Sequence, residues 1–457
     1  VPIRSILRST LSVLIAAAAV AGVVMSDPLP AAAKIFDPES FVLGNGMQVV
    51  VIPNHRVPVV SHMVWYKVGA ADEPAGKSGI AHFLEHLMFK GTTTRAAGEF
   101  SRIVNRVGGS ENAFTSFDYT GYYQNVAKDQ LGIMMALEAD RMANLSISEA
   151  DVASEREVIL EERRSRTDND PRSLFGEQVT AATYLAYPYR IPVIGWENEM
   201  HGLSREDALL FYKTWYVPNN AVLVVAGDVT VDEVRELAEK TYGLVPAGTV
   251  PDRVALRGQE PPQLAARRLE MASPRIDQPS WSRRWLAPGE MWGDSAQAAP
   301  LQVLAEILGG GTTSRLYRSL VVEQGLAVSA GAGYSPDGLG PQTFVVYASP
   351  RDGIDLAMLE AAVEAEVAGL LRDGVTEAEV ASAVTRMKRQ AVFARDDMLA
   401  PARLFGEAVA AGGGIAEVEE WPERIGAVTA ARIAEAATAV LVPERSVTAV
   451  LRSKPAS

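Results

Sequence analysis

The residues whose types and spacing could do chemistry are His82, Glu85 and His86, in the run His82-Phe83-Leu84-Glu85-His86. Read as a helix, this run puts the two histidines one turn apart on a single face, with Glu85 beside them. Two imidazoles at that spacing can converge on one divalent ion, and a neighbouring carboxylate can take a proton from water on that ion. The order His-x-x-Glu-His inverts the commoner His-Glu-x-x-His zinc motif. A pattern this short also arises by chance, and paired histidines on a helix are often only surface or core residues. Composition sharpens the metal reading. The chain has five histidines (His55, His62, His82, His86, His201), and two of them fall in the motif. Phe83, Leu84, Leu87 and Phe89 are apolar, so the helix is expected to be largely buried. A buried imidazole pair beside a carboxylate needs a partner such as a metal to offset its desolvation.

Several elements must position that helix. Gln48-Val49-Val50-Val51-Ile52 and the run from Val57 to Val68, punctuated by Asn45-Gly46 and Pro53-Asn54, predict a pair of strands ahead of it. His55 falls in the turn and His62 in a strand, places that fit a turn or sheet-face role better than a ligand's. Gly69 to Gly79 reads as a Gly-rich loop, with the helix starting near Ser78 to Ala81. After it, Gly108-Gly109 turns into a β-rich run through Asn112-Ala113-Phe114-Thr115, either an ordinary strand or one exposed enough to pair with an extended peptide. Glu155 to Arg164 is strongly helical in composition. Glu155 and Glu162 are two turns apart on one face, so one of them could complete a two-histidine, one-glutamate site. The alternative is a solvated charged face.

At 457 residues, 48% hydrophobic and 22% charged, the chain reads as a soluble globular protein of more than one domain. A net charge of −13 with no basic stripe argues against a nucleic-acid partner. With no cysteine, a metal must be held by N and O donors. Residues 1–33 carry Arg4 and Arg8, an apolar run from Leu11 to Met25 and Ala31-Ala32-Ala33, the layout of an export signal. The run is short for a membrane span, and an uncleaved anchor is the alternative.

Taken together, these segments resemble the pitrilysin, insulinase and mitochondrial processing peptidase family of zinc peptidases, the inverzincins. The match runs in order through His82-Phe83-Leu84-Glu85-His86, Glu111-Asn112-Ala113-Phe114-Thr115-Ser116, Glu155-Arg156-x-Val158-Ile159-x-x-Glu162, Tyr187-Pro188-Tyr189-x-x-Pro192-Val193-Ile194-Gly195, Trp215-Tyr216-x-Pro218-Asn219-Asn220-Ala221 and Val224-Val225-Ala226-Gly227-Asp228. The resemblance implies one Zn²⁺ per chain held by His82, His86 and Glu162, Glu85 as general base, and Glu155 supporting catalysis by holding a ligand imidazole. It implies that the strand Asn112, Ala113, Phe114 and Thr115 binds peptide substrate. The implied fold is α+β: two homologous sandwich halves, each an antiparallel-rich sheet packed with helices, forming half of a clamshell chamber. Pro246, Pro251, Pro261 and Pro262 mark a linker. The expected domains are therefore 34–245 with the zinc site, a linker over 246–270, and 271–457 without zinc, since no second His-x-x-Glu-His occurs.

One departure stands out. Many family members carry an Arg and, seven residues on, a Tyr that bind substrate and stabilise the reacting carbonyl. Aligned through Glu323-Gln324-Gly325-Leu326-Ala327, those positions are Val321 and Val328, which donate no side-chain hydrogen bond. The expectation is a heterodimer in which a homologous zinc-less subunit supplies both groups. The alternative is a local substitute among Tyr317, Arg318 and Tyr334, or an alignment slip. The expected activity is that of a periplasmic zinc endopeptidase of short or unfolded peptides, and the competing reading is a structural subunit of the same fold.

Overall fold

Alternating burial along short β-rich runs organises the chain around two sheets. The computed structural model describes residues 36–394, 397 and 400–454; the expected export signal lies outside the described residues. The first sheet comprises β1 (Glu39–Val42), β2 (Gln48–Pro53), β3 (Val59–Tyr66), β4 (Ser110–Thr115), β5 (Thr120–Ala127) and β6 (Ala221–Gly227), in the order β1-β2-β6-β3-β5-β4. The second comprises β7 (Arg267–Ser273), β8 (Ser280–Ala287), β9 (Ala327–Tyr334), β10 (Gln342–Pro350) and β11 (Ser446–Ser453), in the order β7-β11-β8-β10-β9.

The two orders are one topology used twice. Set aside β1, which adds an antiparallel edge to β2 in the first sheet, and in each the first strand runs parallel to the last (β2 with β6, β7 with β11) while the other pairings are antiparallel. The third strand of each repeat, β4 or β9, forms an edge. The parallel pairs join the start of each repeat to its end, so long crossovers carrying helices must intervene.

In the first repeat these helices include α1 (Ile80–Leu87), α2 (Glu99–Arg106), α3 (Leu131–Asn144), α4 (Glu149–Arg163) and α5 (Pro171–Thr183). In α1, Ile80, Phe83, Leu84 and Leu87 recur at i, i+3, i+4, i+7 and are fully buried. That stripe fixes α1 against the core and leaves His82, Glu85 and His86 on its other side. Helix α4 starts with a capping box, Ser148 Oγ accepting from the Asp151 N–H at 3.1 Å. It runs into a π turn over Arg164–Asp168 immediately after Glu162 and Arg163.

The repeats exchange helices. Phe175 and Val179 of α5 pack on Ala449 and Leu451 of the second sheet. The helix Ala400–Ala410 places Ala402, Phe405 and Val409 against Val50, Trp65, Val222 and Val224 of the first. Each sheet thus buries one face on a helix from the other half of the sequence.

The expected linker is clamped rather than solvated. Arg257 gives a bidentate bond to Asp72 (2.8 and 2.9 Å) and pairs with Asp118; Arg253 reaches Asp72 at 3.0 Å. Glu260 accepts three consecutive N–H groups, from Leu185, Ala186 and Tyr187, at 2.6 to 2.9 Å. Proline content points to a connector, but it carries no information about these long-range ion pairs.

Candidate metal centre and active site

Helix α1 begins where two glycines meet. Gly79 has φ 87° and Gly195 φ 90°, and a Cβ on Gly195 would lie 2.7 Å from the Gly79 Cα. Both positions need glycine, for positive φ and for close approach. Glu73 then takes over the first turn of the helix, accepting from the Gly79 and Ala81 N–H groups at 2.9 Å each. The Pro192-Val193-Ile194-Gly195 stretch therefore serves as a stop for α1: Ser78 Oγ accepts from the Trp196 N–H at 2.9 Å.

So held, α1 points two imidazoles at α4. His86 Nε2 is 3.3 Å and His82 Nε2 3.7 Å from the same Glu162 oxygen, Oε2. Ligand atoms of these three residues all lie within 4.8 Å of one another. A tetrahedral ion with bonds of about 2.0–2.1 Å needs ligand atoms roughly 3.3 Å apart. The donor set and its spacing therefore fit Zn²⁺, which two nitrogens and a carboxylate oxygen suit chemically. Glu155, two turns before Glu162, approaches the opposite edge of the His86 ring, Oε1 to Nδ1 at 3.0 Å. The two carboxylates straddle one imidazole, so Glu155 fixes the ring with its Nε2 toward Glu162.

Electrostatics agree with a cation site. Burial works against a charged His86, yet hydrogen bonds to Glu155 and Glu162 outweigh it and raise the ring to about 9. Burial and the neighbouring His86 charge lower His82 to about 4. The hydrogen bond to His86 holds Glu162 below the usual carboxylate range. One positive charge is wanted between these groups, a demand that a divalent ion meets in place of a proton. Burial raises Glu85 above the usual range, even though Thr115 Oγ1 donates to its Oε2 at 2.5 Å.

Of the four residues expected on the substrate strand, all lie on β4, whose described partner is β5. Thr115 and Ala113 face α1, and Ala113 packs on the core beneath it. Phe114 turns the other way, edge-on to Trp65 at 4.9 Å and under the Arg403 guanidinium at 4.8 Å. Asn112 is exposed, its Oδ1 accepting from the Ala113 N–H at 2.8 Å. The remaining histidines stand apart from the centre. His55 meets Asp228 at 2.6 Å, buried His62 lies between Gln124 and Tyr242 at 2.6 and 2.8 Å, and His201 is exposed. Glu161 pairs outward with Arg164 at 3.1 Å.

Four site residues were not anticipated from sequence in these roles: Thr115 on Glu85, Lys90 on Glu155, Arg166 on Glu162 Oε1, and Glu73 at the helix start. Arg166 follows Glu162 by four residues, a spacing that a helix-pair search finds. The other three are tertiary contacts without a local signal.

Comparison with known proteins follows this geometry. Residues 48–196 match the family described as Insulinase (Peptidase family M16), and residues 202–387 match the Peptidase M16 inactive domain. The chain belongs to the M16 peptidase family. It is 33% identical to the zinc protease PqqE of Helicobacter pylori over 346 residues, 75% of this chain and 76% of that protein. The crystal structure of a protease from Helicobacter pylori superposes with a TM-score of 0.83 at 29% identity, covering 91% of this chain and 99% of the other. The periplasmic protease PqqL of Escherichia coli shares the fold, TM-score 0.78 at 19% identity, and 93% of this chain spans 48% of that longer chain.

Proposed function

We propose that this chain is a zinc-dependent endopeptidase of short or unfolded peptides, acting as the zinc-bearing subunit of a two-chain enzyme exported to the periplasm. The observation that carries the reading is the convergence of His82 Nε2, His86 Nε2 and Glu162 Oε2, with Glu85 on the same helix face. When bound, Zn²⁺ supplies a Lewis acid that polarises a peptide carbonyl and brings the acidity of water to a pKa of roughly 7. His82, His86 and Glu162 hold it, and Glu155 orients His86. Glu85, its affinity for protons raised by burial, takes the proton of the attacking water and returns it to the leaving amine. The open edge of β4 offers backbone groups to an extended peptide, and Thr115 ties that strand to Glu85.

The two-chain arrangement rests on Val321 and Val328, neither of which can stabilise an oxyanion. Of the local candidates, Tyr334 is already engaged: its hydroxyl donates to the Pro288 carbonyl at 2.5 Å. A solved relative about twice as long, with room for two such folds, is consistent with one chain of this size forming half of a chamber. Export rests on the amino-terminal pattern and on the periplasmic relative; among the described residues, no helix is long and apolar enough to cross a membrane.

The test is cleavage of a fluorogenic peptide library by the purified chain, alone and with a homologous subunit lacking the His-x-x-Glu-His motif. The proposal expects rates at least about 10²-fold higher with the partner, the typical worth of an oxyanion donor. Full activity from the chain alone removes the two-chain element. Absence of hydrolysis in every combination favours a structural subunit.

A further inference from the structure

The segment that carries the metal helix continues past His86 as an ordered turn. The Phe89 N–H donates to the His86 carbonyl at 3.2 Å and the Lys90 N–H to the Leu87 carbonyl at 3.0 Å. Phe89 packs on the core beneath this turn, its ring centre 5.1 Å from the Arg141 guanidinium and 6.3 Å from the Tyr122 ring. The position of the turn is therefore set by the fold, and it presents half-buried Lys90 to α4, four residues after His86.

Two side chains of this one segment divide the Glu155 carboxylate between them. His86 Nδ1 is 3.0 Å from Oε1, and the Lys90 ammonium pairs with Oε2. Glu155 is buried, and His86 and Lys90 are the partners its carboxylate has among the described residues. Asp151, one turn earlier on α4, is also within electrostatic reach of the ammonium, but its carboxylate is spent on the Ser148 N–H and hydroxyl, at 2.8 and 2.6 Å. The last torsion of a glutamate is broad, so a carboxylate held through one oxygen swings about that bond, whereas one held through both keeps a single plane. Lys90 thus fixes the plane in which Oε1 meets the His86 ring, and the ring directs its Nε2 at Glu162 Oε2, 3.3 Å away.

We infer that Lys90 is a positioning residue for the metal centre, acting through Glu155 to hold the His86 imidazole in the orientation that binds Zn²⁺. The inference rests on the metal reading above and adds a residue to which that reading gives no part. The charge on Lys90 makes it sharp in sign. An ammonium repels a divalent ion, so if Lys90 acted by charge alone its removal would tighten zinc binding. Removing a group that orients a ligand loosens it. A side chain that only straps α1 to α4 moves the urea midpoint and leaves zinc affinity where it was.

The test is the zinc affinity of the purified full chain, by competition with a chromophoric chelator, with the urea midpoint of each metal-free variant measured alongside. Lys90→Met keeps the apolar stem and removes the ammonium. It should weaken zinc binding by about 3- to 10-fold, less than the loss expected for Glu155 itself, because it acts one step further out. Lys90→Arg keeps the charge and a donor for the same oxygen, and should stay within about threefold of wild type. In a Glu155→Ala background Lys90→Met should cause no further loss, since that carboxylate is the route by which it acts. Unchanged or tighter zinc binding in a folded Lys90→Met protein overturns the inference alone, as does a loss of equal size with and without Glu155. A wild-type chain that binds no zinc overturns the metal reading and this inference together. Because the readout is binding, the presence or absence of peptide cleavage does not enter it.

Discussion

His86 is the residue on which the site turns, because carboxylates approach both of its ring nitrogens. Removing Glu155 leaves Nδ1 without its acceptor and frees the ring to rotate. Glu155→Ala is therefore expected to weaken zinc binding by about 10- to 100-fold in a chelator competition, while Glu161→Ala, whose partner is the exposed Arg164, leaves it unchanged. Glu85→Gln is expected to keep the zinc stoichiometry and lose roughly 10²- to 10⁴-fold in kcat on a fluorogenic peptide. The two histidines and Glu85 are legible as one constellation because helical periodicity fixes which side chains share a face; periodicity alone leaves Glu155 and Glu162 as equals, and Glu162 is singled out only by the family resemblance. The Thr115 hydroxyl on Glu85 is not legible, since it depends on how the β4 edge is laid across α1, a tertiary fact with no periodicity of its own.

At the scale of elements, the placement of α1 depends on the contact between Gly79 and Gly195. A Cβ at Gly79 would sit 2.6 Å from the Ile194 carbonyl oxygen, and its φ of 87° is already strained for any other residue. Gly79→Ala is expected to destabilise the fold by about 1–3 kcal/mol in urea titration and to lower zinc affinity with it. In the second repeat, the helix Glu377–Ala394 begins with Thr376 and Glu379 in a reciprocal cap, and Arg315 grips the same Glu379 carboxylate at 2.7 and 2.8 Å. The Arg315 guanidinium holds Glu379 at about 2, below its ordinary 4.5. Because the folded value is depressed, the stabilisation is present above about pH 4.5 and is lost as pH falls from there toward 2. The gap in urea midpoint between wild type and Glu379→Gln should be constant from pH 7 to 5 and narrow steadily below 4.5. The strands flanking α1 are readable from β-rich runs between turn residues; those of the second sheet are not read from the sequence. That β4 is an edge is a property of sheet order, which no single strand's sequence carries.

At the scale of the molecule, one topology is laid down twice and each copy lends a helix to the other's sheet. In the sequence the two halves are separated by a proline-rich stretch, and their being two copies of one fold is what the family resemblance implies. The sequence does not show the exchange, because the apolar stripe of α5 or of Ala400–Ala410 is indistinguishable from one that packs on its own sheet. The clamped connector follows from this arrangement: Asp72, beside α1, and Asp118, in the β4–β5 turn, are both neutralised by Arg257. Arg257→Ala removes the ion pair of buried Asp118 and leaves Asp72 to Arg253 alone, and is expected to cost about 3–5 kcal/mol, read as a drop in urea midpoint. The central claim is that α1 and α4 close on one divalent ion. A crystal of the zinc-loaded protein, measured at the zinc absorption edge, tests it directly. The account predicts one anomalous peak about 2.0–2.2 Å from His82 Nε2, His86 Nε2 and a Glu162 oxygen. A zinc-soaked crystal with no peak there, or with the ion held by other residues, would contradict it.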